Sequence, residues 1–197
     1  MATSLPQLSL SHGQVLSALS AGLPVSQMLV DELRYLRQLG VPFKESELGG
    51  GRGNQIRYRF EHLIEVGVAV FALRHGMRPR EIAGYLKKYR KYLRQAYRKA
   101  FLDQPETAIT QDWVKSRGKH VPMLENELFI RLHDRYSATP GKYDLLRLDE
   151  VTDLRDVMGM VERFPGGETR TLVPLKKLVL ELVAWALEAP VTKPGPQ

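Results

Sequence analysis

Apolar positions recur at helical spacing through most of the first hundred residues. Val15, Leu16 and Leu19 predict a short helix over His12 to Ser20, with Ser11 as its cap. Ala21-Gly22-Leu23-Pro24 reads as a turn. Leu29, Val30, Leu33 and Leu36 then predict a longer helix, capped by Ser26 and running to about Leu39. Gly40 ends it and Pro42 confirms the stop. The pattern changes at Gln55 to Phe60, where Ile56, Tyr58 and Phe60 alternate with Arg57 and Arg59. That alternation predicts a short strand. Together with Gly49-Gly50-Gly51-Arg52-Gly53 before it, we read a two-stranded hairpin with a glycine-rich tip, a wing. Helical spacing returns from Glu61 to about His75, stops at Gly76, and resumes after Arg78-Pro79.

The last of these helices is strongly basic. Seven cations lie between Lys87 and Lys99, and no acid occurs between Glu81 and Asp103. Lys87, Lys91, Arg94 and Arg98 form one stripe, and Tyr85, Tyr89, Leu93 and Ala96 form the opposite one.

The second half reads differently. Residues 103–122 look like a linker with one short helix. Leu124 to Tyr136 suits either helix or strand, and Lys142 to Val151 has strand character. Val157 to Phe164, Pro165-Gly166-Gly167-Glu168 and Thr169 to Val173 read as a β-hairpin. Pro174 opens a final helix to Ala189, whose Leu175, Leu178, Leu182 and Trp185 share an apolar face.

Charge sharpens the contrast. The 197 residues carry a net +7. Residues 1–100 hold 16 Lys and Arg against 7 Asp and Glu, a net +9, whereas residues 101–197 hold 13 against 15, a net −2. The excess points to a polyanion as partner of the first half, nucleic acid before an anionic membrane. With no cysteine, disulfides, thiol catalysis and Cys-ligated zinc are excluded. No apolar run approaches the ~20 residues that cross a bilayer. No basic patch precedes an apolar run at the N-terminus, so no signal peptide is expected.

Helix, turn, helix, wing and a second helix pair resemble the MerR-type transcriptional regulators. Leu33-Arg34-Tyr35 followed by Gly40-Val41-Pro42 is similar to the end of that family's recognition helix. Gly50 to Phe60 sits where its wing lies, and Ile56-Arg57-Tyr58 is similar to a wing strand. Leu73 to Ile82, then Leu86, is similar to its second helix pair. The resemblance spans roughly residues 12–90 and implies that Arg34 and Tyr35 contact DNA, mostly its backbone. The second half has no counterpart in it.

The residues support the same picture. Gln27, Asp31, Arg34 and Gln38 lie on one polar helix face, and Gln27 and Arg34 suit phosphate or base edges. Arg52, Arg57 and Arg59, with Tyr58 between them, suit a wing that touches the minor groove or flanking phosphates. Lys87, Lys91 and Arg94 suit phosphates. Catalytic patterns are poor. The histidines lack metal-ligand spacing, and Asp149, Glu150, Asp153 and Asp156 read as a solvated loop before a two-carboxylate metal site.

The expected architecture is mainly α with a small β component. A winged helix-turn-helix domain with its basic helix occupies residues 10–102, a linker 103–122, and a small α+β accessory domain 123–190. The expected function is a sequence-specific, dimeric transcriptional regulator that docks a helix in the major groove of double-stranded DNA. No enzyme, metal or cofactor is expected, nor any membrane. A small-molecule effector or protein partner would act at the second domain, and the location would be cytoplasmic and nucleoid-associated. Two alternatives are an architectural DNA-binding protein of a mobile element and a ligand-binding or enzymatic protein working through the second half.

Overall fold

The computed structural model describes residues 5–44, 47, 56–103, 127–133 and 170–190. Helix α1 is His12–Leu19. Its Ser11 side chain accepts the Gln14 N–H, and the Gln14 side chain accepts the Ser11 N–H, a reciprocal cap at the start of the helix. Helix α2 is Gln27–Gln38, capped by Ser26, whose hydroxyl accepts the Leu29 N–H at 3.2 Å. Gly40 stops it at φ +81°, a left-handed conformation that glycine adopts without a Cβ penalty.

Helix α3, Phe60–Arg74, is buried along nearly its whole length. A helix that is apolar all round needs cover on every side. Helices α2 and α4 (Pro79–Leu102) supply part of it. Strand β1, Phe129–His133, pairs antiparallel with β2, Arg170–Pro174, with Ile130 opposite Val173. Helix α5, Leu175–Glu188, follows at once and packs on α1, α3 and α4.

Three sequence expectations change here. First, Tyr58 does not join a hairpin partner across a glycine tip among the described residues. It exchanges both backbone hydrogen bonds with Leu10, each at 2.9 Å, ahead of α1. Phe60 already belongs to α3. The alternation of apolar and cationic positions is present, but it places Tyr58 and Phe60 in the core, where Tyr58 meets Phe43 edge-on at 4.8 Å. The glycine-rich tip lies outside the described residues.

Second, β2 pairs with β1, so the ambiguous Leu124–Tyr136 stretch contains a strand. The expected partner run 157–164 lies outside the described residues, as do the linker 104–122, Lys142 to Val151 and the acidic patch.

Third, the described residues of the second half do not form a core of their own. Ile130, Val173, Val179 and Leu182 join the same apolar cluster as Val15, Leu33, Leu63 and Leu86. The contact that fixes this is close. A Cβ on Gly67 of α3 would lie 2.2 Å from Leu182 Cδ1, so with any other residue there Leu182 would have to move from its present position. Trp185 likewise lies over Gly22, which has φ +70°. The apolar face of α5 is therefore turned inward, with Leu182 buried and Leu178 and Trp185 half-buried.

Candidate nucleic-acid interface

The face of α2 opposite Leu29, Leu33 and Leu36 stands free of the core. Gln27, Asp31, Arg34, Tyr35 and Gln38 are all exposed on it. Asp31 organises this face. Its Oδ1 accepts from Gln27 Nε2 at 3.2 Å and from Arg34 Nη1 at 2.9 Å. Side chains one turn apart on either side of a carboxylate are thereby lined up along the helix.

Beside the C-terminal end of α2 runs the basic stripe of α4. Its arginines are held from α3. Arg90 Nε donates to Glu65 Oε1 at 2.9 Å, and Arg90 Nη2 donates to the Gly40 carbonyl at 2.7 Å. Arg94 Nη2 donates to the Pro42 carbonyl at 3.2 Å, while its Nε and Nη1 lie 3.5 and 3.7 Å from Glu65 and Glu47. Arg98 pairs with Glu61. Glu61 and Glu65, one turn apart on α3, thus match arginines spaced along α4. Two acids one turn apart in a mostly apolar helix are the feature of the sequence that marks this contact.

The carboxylates differ in their surroundings. Burial pushes Glu65 above the ordinary carboxylate range, although Arg90 and Arg94 pull the other way. Burial also acts to raise Glu61, but hydrogen bonding and charge from Arg98 outweigh it and leave Glu61 low. Glu47 is low for a similar reason: the Lys44 N–H, His62 and Arg94 outweigh its desolvation.

Lys87 and Lys91 are exposed, as expected. Lys44 and Lys88 join them. Lys44, Lys87, Lys88, Lys91, Arg94 and Arg98 line one groove of about 480 Å³, with Arg90 at its base. Lys44 was not anticipated, because only folding brings residue 44 beside the middle of α4. Arg94, expected to be a phosphate contact, is half-buried and engaged with Glu65, Glu47 and a carbonyl, so its main part here is to hold the loop on the helix.

No protein-family model, curated protein or solved structure matches the chain.

The remaining expected contacts divide. Arg57 and Arg59 are exposed, pointing away from the side that buries Tyr58. Tyr58 itself is only 1% exposed, and its hydroxyl is hydrogen-bonded to His12 Nδ1 at 3.2 Å, so it is a core residue and not a surface contact. Arg52 lies outside the described residues. Among the described residues no group of His, Asp and Glu is placed to hold a metal ion, and no helix is long and apolar enough to cross a membrane.

Proposed function

We propose that the chain is a duplex-DNA-binding regulator that lays α2 in the major groove, with α4 beside it on the flanking phosphates. The observation that carries this reading is the free polar face of α2 standing next to the cationic groove. Gln27 and Arg34 offer donors suited to base edges, and Arg bound through two nitrogens to guanine is the commonest specific contact. Lys44, Lys87 and Lys91 supply the sequence-independent attraction. The resemblance to MerR-type regulators over residues 12–90 agrees with this order of elements. Self-association follows from the need for a longer site, since one helix reads too few base pairs. The inward turn of Leu182 means that a dimer would use a surface other than the apolar face of α5.

Selection of bound fragments from a genomic DNA pool, using the full chain, tests the reading. A recurrent site is expected, with affinity that falls steeply as salt rises. Arg34→Ala should cost about 1–3 kcal/mol at that site if the contact is to a base edge, with an unchanged circular dichroism melt. Recovery of no recurrent site, or binding insensitive to salt, overturns it.

A further inference from the structure

Among the described residues, the charges around the α4 groove do not balance. Arg90, Arg94 and Arg98 face Glu65, Glu61 and Glu47, three cations against three carboxylates. Lys44, Lys87, Lys88 and Lys91 remain, and none of them forms an ion pair among the described residues. Lys87 and Lys91 sit one turn apart on the same helix, a like-charge spacing that weakens a helix. No acid on α4 after Glu81 offsets that repulsion. The lysines also do not spread over a convex surface. They rim a recess whose base is the buried Arg90, 8% exposed.

The recess has a size and a chemistry. At about 480 Å³ it falls within the ~300–1,000 Å³ of small-ligand sites. Among the described residues its lining is cationic apart from Gln95, with no aromatic ring or aliphatic side chain to stack on a base or hold an apolar body. These four lysines, without a carboxylate partner among the described residues, match the charge of an anion of two to three linked phosphate groups.

We infer that this groove is a binding site for a free oligophosphate anion, held by Lys44, Lys87, Lys88 and Lys91 above the Arg90 and Arg94 guanidiniums. The ligand is a linear or clustered anion of two or more phosphates, or the phosphate tail of a larger molecule whose remainder stays in solvent. The site does not depend on the DNA reading. One consequence does rest on it: the anion and the flanking phosphates of a duplex would compete for Lys87 and Lys91.

Calorimetric titration of the full chain with sodium tripolyphosphate at low salt tests the site, with orthophosphate as comparison. Tripolyphosphate should bind at one site per chain, at least about tenfold more tightly than orthophosphate. The double variant Lys87→Gln/Lys91→Gln, made on exposed residues, should weaken it by about tenfold or more while keeping the wild-type melt. Lys99→Gln removes an exposed cation of the same helix outside the groove and should leave binding unchanged. Absence of tripolyphosphate binding overturns the inference. So does an equal loss in Lys99→Gln, which would mean diffuse charge, or duplex binding through the two lysines that tripolyphosphate fails to displace. Tripolyphosphate binding in a chain that selects no DNA would uphold the site and defeat the regulator reading.

Discussion

Arg90 and Glu65 form an ion pair buried on both sides, 2.8 Å apart, with side chains 9% and 1% exposed. The pair locks the basic helix α4 to the apolar helix α3. Through the second Arg90 bond to the Gly40 carbonyl, it also fixes where α2 ends relative to the groove. Removing one partner leaves the other charge buried and unpaired. Glu65→Ala should therefore destabilise the fold by about 3–5 kcal/mol. The paired change Glu65→Leu/Arg90→Met should recover part of that loss, because it removes the buried Arg90 charge, while Arg94 still loses its Glu65 contact and keeps Glu47. Thermal melts by circular dichroism check both, and a Glu65→Ala melt equal to wild type would show the pair to be energetically idle.

Acid should weaken the fold in a window set by histidines. His62 is buried, meets Phe43 edge-on at 4.7 Å, and accepts the Arg59 N–H through Nδ1 at 3.3 Å. Burial, then the Arg94 charge, hold its pKa below 6.5, and burial does the same for His12. Between the folded pKa and 6.5 the unfolded chain binds more protons, so stability is present above about pH 6.5 and is lost as pH falls through that window. His62→Gln should shallow the fall in melting temperature between about pH 6.5 and 5, and His12→Gln/His62→Gln should shallow it further. A slope unchanged in both variants would assign the acid sensitivity to other groups.

The α3–α5 contact predicts a non-additive pair. Leu182→Ala opens a cavity and should cost about 2–5 kcal/mol. Gly67→Ala forces a methyl against Leu182 Cδ1 and should cost about 1–3 kcal/mol, less a helix-propensity gain of up to ~1 kcal/mol. In the double variant the new methyl enters space that Leu182 has left, so the combined cost should fall short of the sum by about 0.5–3 kcal/mol. Denaturant unfolding of the four proteins measures this coupling. Strict additivity would mean that the two residues do not touch in solution.

Helix α5 carries its cap on another segment. Pro174 at its start has no side-chain hydrogen bond to give. Glu127, just before β1, accepts the Lys176 N–H at 2.6 Å and the Lys177 N–H at 3.1 Å instead. Glu127→Ala should cost about 1–2 kcal/mol, as loss of a helix cap does, and speed hydrogen exchange at Lys176 and Lys177. Unaltered exchange at those two amides would rule the cap out.

Asp31 is the carboxylate on the proposed reading face. Its bonds to Gln27 and Arg34 are exposed, so Asp31→Ala should change stability by less than about 1 kcal/mol. Binding should change more. Loss of the negative charge should raise affinity for random duplex, and freeing Arg34 should narrow the margin between a selected site and random DNA. Fluorescence anisotropy with both duplexes reads that margin, and an unaltered margin would remove Asp31 from the interface.

Local features of this chain were legible in its sequence because local physics fixes them. Ser11, Ser26, Gly40 and Pro79 mark helix ends through bonds or dihedral limits within a few residues. The spacing of Leu29, Leu33 and Leu36 sets which face of α2 is left polar, and the Lys87–Arg98 stripe follows from helix period alone. Tyr58 is buried and not on a surface: period-2 alternation shows that two faces differ and does not show which surface covers the apolar one. Long-range partners were decided only by the tertiary structure. Glu127 caps a helix 49 residues away, Leu182 settles on Gly67, and Lys44 joins lysines that lie far from it along the chain. Each depends on how the apolar faces of α3 and α5 find mutual cover, and a hydrophobic pattern is non-directional: it states that a face must be buried without naming its partner.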